Sequence, residues 1–307
     1  MINVFIDGSA GTTGLRIRER LAGRTDLNIL TLPEELRKEE SARADVMNRS
    51  DIVFLCLPVA AAVEAVKLVT NPNTKIIDTS TAHRTDPNWV YGFPELKGQR
   101  EKIGSSCRIA NPGCHASGFV ALVAPLTEQG ILPADIRLTC FSLTGYSGGG
   151  KKMIAQYENS ERDPLLDAPR QYGLTQNHKH LPEMVKVCGL DNAPVFCPIV
   201  ADFYSGMEVT VPVFAGQING TIEDIRAAYR DYYTSGLVRV VDEGDSDGML
   251  SAGAMSGRDD MQILVHGNED RILLTARFDN LGKGASGAAI QNMNILLGLD
   301  EKTGLNV

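Results

Sequence analysis

The chain has 307 residues, 43% of them hydrophobic and 22% charged, which is enough for one large domain or two ordinary ones around a sizeable core. A formal net charge of −8 argues against nonspecific nucleic-acid binding, although a local basic pocket for a small anion is compatible with it. No apolar run reaches the roughly 18–20 residues that span a bilayer, so no membrane partner is expected.

Residues 2–6 form a short apolar run closed by Asp7 and Gly8, the pattern of a buried parallel strand. No basic segment precedes it, so no signal peptide and a cytoplasmic location are expected. A glycine-spaced turn follows, then helical spacing over 15–21. Strands are predicted at 27–32, 51–57 and 75–78, with a helix over 59–69. Strands alternating with helices to about residue 110 predict an α/β fold with a doubly wound parallel sheet.

The character then changes. Residues 116–126 are a nearly unbroken apolar helix, and longer strands are predicted at 136–143, 207–214 and 271–278. Residues 221–234 read as an amphipathic helix, and 159–182, with three prolines, as an irregular excursion of the kind that often carries function. Small and apolar residues over 284–299 predict a last helix. The long strands fit an α+β second domain with a mixed or antiparallel sheet.

Gly8, Gly11 and Gly14 sit between a predicted strand and a predicted helix, the context of a dinucleotide site. Glycines let the backbone approach a pyrophosphate, the helix N-terminus offers N–H groups, and Ser9, Thr12 and Thr13 add hydroxyls. The spacing is a variant of the usual G-x-G-x-x-G, and a turn that binds nothing is the plainer alternative. No carboxylate occupies the ribose position near the end of the second strand. Arg37 and Lys38 follow, which favours NADP over NAD, unless they are simply a solvated helix face.

Asn111-Pro112-Gly113-Cys114-His115 places Cys114 at or just before a helix N-terminus, where a thiolate nucleophile is favoured. Cys56 and Cys140 lie in apolar runs, and none of the six cysteines forms a C-x-x-C pair, so reduced thiols are expected rather than disulfides or zinc. The proton carrier is sought in His178-Lys179-His180: one histidine as acid/base, the other on the substrate, with no metal. The loop 146–152, with Ser147, Gly148, Gly149, Lys151 and Lys152, and Arg84 after a strand end suit an anionic substrate. A flexible linker is the alternative for the loop.

Together the segments 8–14, 78–84, 111–115, 145–152, 178–183 and 279–287 resemble the N-acetyl-gamma-glutamyl-phosphate reductases of the short form, over nearly the whole chain. That resemblance implies a plan similar to glyceraldehyde-3-phosphate dehydrogenase: a Rossmann domain over 1–114 completed by 284–307, with a substrate and dimerisation domain over 115–283. It implies NADP as cofactor, a small-molecule acyl phosphate as substrate, arginine biosynthesis as the setting, and a homodimer or homotetramer. Cys114 would be the nucleophile and His180 the acid/base. Arg84, Asn111, Ser147, Gly148, Gly149 and His178 are expected at the substrate, and Gly8, Ser9, Gly11, Thr12, Thr13, Gly14, Arg37, Asn280, Lys283 and Gly284 at the cofactor. A sister reductase of aspartyl phosphate, a dinucleotide-binding redox sensor and a cysteine hydrolase are the alternatives.

Overall fold

A computed structural model describes residues 1–9 and 11–307. The chain divides into two compact units, one comprising residues 1–94, 98–112 and 285–305, the other 95–97, 113–284 and 306–307. The division expected after Cys114 thus falls before Gly113, and Cys114 belongs to the second unit with the helix it begins.

In the first unit six strands, β1 (Ile2–Asp7), β2 (Leu27–Leu30), β3 (Ile52–Leu55), β4 (Lys75–Asp78), β5 (Val90–Tyr91) and β6 (Arg108–Ala110), form a sheet ordered β2-β1-β3-β4-β6-β5. Every ladder is parallel. The helices are α1 (Thr12–Leu21), α2 (Glu40–Asn48), α3 (Val59–Leu68), α4 (Gln99–Ser105) and the C-terminal helix Gly287–Leu296. Alternation along the strands sends side chains to two cores. Val4, Ile6, Phe54 and Ile77 pack with Ile17 of α1, Ile103 of α4 and Ile290 and Met293 of the C-terminal helix. Phe5, Val53, Leu55 and Ile76 pack with Val46 and Met47 of α2 and Ala65 of α3. Burial on both faces is why these strands read as continuous apolar runs. The chain passes from β1 to β2 on one side and returns to β3 on the other, so the turn after β1 lies at the switch point where open α/β sheets bind ligands.

The second unit holds α5 (Cys114–Glu128), β7 (Thr139–Gly145), α6 (Gly150–Tyr157), β8 (Arg170–Gln171), α7 (Leu181–Cys188), β9 (Val195–Ala201), β10 (Met207–Phe214), α8 (Ile222–Tyr232), β11 (Val238–Val240), β12 (Met261–Gly267) and β13 (Arg271–Phe278). Its sheet is mixed, ordered β11-β12-β13-β10-β7-β9-β8. Helix α5 is buried from His115 to Leu126 and packs on β10, β13, α7 and α8. Its close approach needs Gly118, where a Cβ would stand 2.6 Å from Val209 and 2.8 Å from Phe278. Pro125 lies inside α5 and has no N–H for the carbonyl four residues back. That carbonyl, Ala121 O, instead accepts the hydroxyl of Tyr233 at 2.6 Å.

Two expected elements are displaced. The strand expected at 136–143 runs over Thr139–Gly145, because Ile136 N–H turns back to Pro133 O. The last helix begins in regular form only at Gly287, after a wide turn over Gly282–Ser286.

Candidate active site

At the glycine turn of the first unit, Gly8 has φ +85°, and a Cβ there would lie 2.3 Å from Cys56 O. No other residue type fits without moving the β3 end. Gly11 precedes α1 and its N–H donates to Gly8 O at 3.0 Å. No side chain caps α1, which leaves its first amides, at Thr12 and Thr13, for an anion. Ser9, Thr12 and Thr13 are partly exposed and Gly14 is buried, while Ala10 lies outside the described residues. A cavity of about 290 Å³ opens beside the turn, lined by Gly8, Ser9, Arg18, Thr31, Leu32 and Arg37. The one carboxylate on its wall, Asp7, is held by Arg43 at 2.7 Å. A missing side chain at the turn, open helix amides and two arginines fit a phosphorylated dinucleotide.

Further along the same unit, Asp78 at the β4 end accepts from Ser80 N–H and Oγ and lies 2.7 Å from His83 Nδ1. The His83 ring stacks on Trp89 with centroids 4.0 Å apart. Arg84 is buried, and its guanidinium donates to Asn111 O at 2.9 Å and Thr79 O at 3.1 Å. Asn111 is buried too, donating to Ala285 O and accepting from Asn292. Arg84 and Asn111 tie the ends of β4 and β6 to each other and to the C-terminal segment.

In the second unit, Gly113 caps α5 without a side-chain hydrogen bond, and Cys114 opens the helix, partly exposed. The helix end favours negative charge on sulfur there. The turn is tethered from α7: buried Glu183 accepts Gly113 N–H at 2.8 Å. His180 immediately precedes α7, so one short helix carries both the imidazole and the tether. His178 and His180 lie edge to face with ring centroids 4.8 Å apart, and His115 is 5.5 Å from His180 and 5.7 Å from His178. Burial, and then the charge of Lys179, hold His178 below its usual value. Burial pushes His115 down to about 3, with His178 and Lys179 adding to the shift, so its ring is neutral. His115 Nδ1 is 2.6 Å from Ser142 Oγ, and Nε2 is 2.7 Å from the Tyr172 hydroxyl. Burial, then the nearby Cys114, push the Tyr172 phenol up.

Gly284 abuts the nucleophile turn, since a Cβ on it would stand 3.0 Å from Cys114 Cβ. Its neighbour Lys283 is fully buried, the ammonium donating to both carboxylate oxygens of Glu95 at 2.7 and 2.9 Å. That charge anchors the loop internally. Asn280 bridges Gly206 N–H and Ser147 Oγ, pinning the glycine loop to the strand end at β13. Ser147 is buried, whereas Gly148 and Gly149 lead into α6 with Lys151 and Lys152 exposed. Among the described residues no group of three His, Cys, Asp or Glu is placed to hold a metal ion. No helix among them is long and apolar enough to cross a membrane.

Four contributors were not singled out from sequence: Arg18, Ser142, Tyr172 and Glu183. Arg18 falls one helical turn after Gly14, so a helical projection of α1 was the available signal. Tyr172 lies in the excursion 159–182 that was expected to carry function, but nothing local marks it. Ser142 is a buried polar residue at an inward position of a strand, a class that needs a partner.

Residues 3–106 match the semialdehyde dehydrogenase NAD-binding domain, and residues 114–280 the semialdehyde dehydrogenase dimerisation domain. N-acetyl-gamma-glutamyl-phosphate reductases of Brucella ovis and Brucella suis biovar 1 are 46% identical over 305 residues, 96% of this chain and 98% of theirs. Two solved structures share the fold. One is aspartate semialdehyde dehydrogenase II of Vibrio cholerae, with TM-score 0.72, 16% identity, and 97% of this chain and 98% of that one covered. The other is the Candida albicans aspartate semialdehyde dehydrogenase with NADP, with TM-score 0.68, 14% identity, and 97% and 99% covered. A glycine turn at a switch point, a cysteine opening a buried helix and an imidazole pair beside it thus have a family: the chain is a nicotinamide-dinucleotide oxidoreductase of the semialdehyde dehydrogenase family, in the group of the N-acetyl-gamma-glutamyl-phosphate reductases.

Proposed function

We propose that the chain reduces N-acetyl-L-glutamyl 5-phosphate to N-acetyl-L-glutamate 5-semialdehyde with NADPH, releasing phosphate, in a cytoplasmic arginine pathway. The observation that carries this reading is Cys114 at the start of α5, held by Glu183 from the helix that His180 precedes. Cys114 sulfur attacks the acyl carbon, the C–O bond to phosphate breaks, and a thioester forms. Amides of the first turn of α5 stabilise the developing oxyanion. The bound reduced dinucleotide supplies a hydride, two electrons with one hydrogen, to the thioester carbon. His180 lends a proton to the oxygen of the resulting thiohemiacetal and takes it back as the C–S bond breaks, releasing aldehyde and thiolate. His178 orients the acyl group, and the amides of Gly148 and Gly149 suit its anionic end. Arg18 and Arg37, with no unpaired carboxylate on the same wall, favour the additional phosphate of NADP.

The test is the reverse assay: aldehyde, phosphate and NADP⁺, followed by the absorbance of NADPH. Cys114→Ser should bind the dinucleotide as the parent does and lose turnover by roughly 10³-fold or more. Turnover close to the parent's ends the nucleophile assignment. Activity with the aspartyl analogue in place of the acetylglutamyl substrate would reassign the substrate.

A further inference from the structure

His115 is used by nothing in the scheme above, yet it is buried directly behind the nucleophile with both ring nitrogens hydrogen-bonded. Its neutral ring has one N–H, so one nitrogen donates and the other accepts. Ser142 decides which. Its hydroxyl is fully buried, and His115 Nδ1 is its one side-chain hydrogen-bond partner among the described residues. If Nδ1 donated, the Ser142 proton would be stranded in the interior, a loss of about 1–3 kcal/mol. Ser142 O–H therefore donates to Nδ1, and the ring proton sits on Nε2 and donates to the oxygen of Tyr172. That fixes the phenol as acceptor towards the ring and leaves its own O–H directed elsewhere. Tyr172 is partly exposed and close enough to Cys114 to sense the charge of the sulfur. Donation from Nε2 also polarises the phenolic O–H.

We propose that Tyr172 is a catalytic hydrogen-bond donor to the oxygen of the Cys114 acyl adduct, oriented by a one-way chain from Ser142 through His115. Ser142 and His115 are positioning residues, setting the direction of the hydrogen bonds without touching substrate. The inference rests on the assignment of Cys114 as nucleophile. The substrate concerned is an acyl phosphate whose carbonyl oxygen becomes anionic, and the donor acts on that oxygen only as charge develops.

The experiment measures steady-state kinetics, Cys114 alkylation by iodoacetamide and thermal melting for Tyr172→Phe, Ser142→Ala and Ser142→Thr, beside Cys114→Ser. Tyr172→Phe should lower kcat about 10²-fold with the KM for the dinucleotide unchanged and Cys114 alkylated as in the parent. Ser142→Ala removes the donor that holds the ring proton on Nε2, so kcat should fall about tenfold with the KM for the dinucleotide unchanged, beside a lower melting temperature from the lost buried hydrogen bond. Ser142→Thr keeps the hydroxyl and should restore most of the rate. A kcat within twofold of the parent for Tyr172→Phe overturns the donor role. Equal kcat for Ser142→Ala and the parent overturns the chain's direction, and this pair carries the test if Tyr172→Phe does not fold. Full turnover by Cys114→Ser would strike the nucleophile reading instead, so the two failures are distinguishable.

Discussion

At the residue scale, His115 links the candidate site to acid stability. Burial holds its folded pKa at about 3, below the ordinary value of 6.5. Unfolding frees the imidazole to take a proton at any pH between those values. Stability is therefore complete above pH 6.5 and declines as pH falls towards 3. His115→Gln has no such group. Its melting temperature should drop less than the parent's between about pH 7 and pH 4, while the two curves run parallel above pH 7. Parallel curves over the whole range would show that the ring does not titrate on unfolding. The residues legible in the sequence were those whose chemistry is written in local backbone. Gly8 announces a left-handed turn, and Pro112-Gly113 a break before Cys114. Glu183 is not marked within the segment 178–183 because its partner, Gly113 N–H, lies 70 residues away. The bonds that Arg84 and Asn111 make to the carbonyls of neighbouring segments were hidden for the same reason: those partners are distant in sequence or carry no side-chain signal.

At the scale of elements, α5 shows how a local defect is repaired from elsewhere. Pro125 removes the donor for Ala121 O, and the Tyr233 hydroxyl replaces it. Tyr233→Phe should lose about 1–3 kcal/mol in denaturant unfolding, the cost of an unsatisfied buried carbonyl. In a Pro125→Ala background the helix supplies its own N–H, and the loss should shrink by roughly half. An identical loss in both backgrounds would place the effect in packing of the ring. The apolar run of α5 and the strands over Met207–Phe214 and Arg271–Phe278 were readable because length and pattern specify them. The break between Gly282–Ser286 and the C-terminal helix was not: small residues leave no pattern to mark where a wide turn becomes a regular one.

At the scale of the whole molecule, the sheet of the second unit carries α5 on one face and exposes Phe141 by 45%, Val195 by 56% and Leu273 by 44% on strands β7, β9 and β13. These residues alternate with the inward set Cys140, Phe196, Ile272 and Leu274, so they belong to the opposite face. In a segment that matches a dimerisation domain, such a face suits a second copy of the same chain. Phe141→Asp with Leu273→Asp should halve the mass measured by light scattering while leaving the far-ultraviolet circular dichroism intact. An unchanged mass would move the interface elsewhere.

The C-terminal helix has a further consequence. Ile290 and Met293 fill the same core as Val4 and Ile6, so one side of the parallel sheet stays uncovered until the helix Gly287–Leu296 reaches it. Closing so long a loop is slow and entropically costly. The second unit is nearly continuous in the chain and escapes that delay. The second unit can thus close its core on a nascent chain before the parallel sheet of the first unit does.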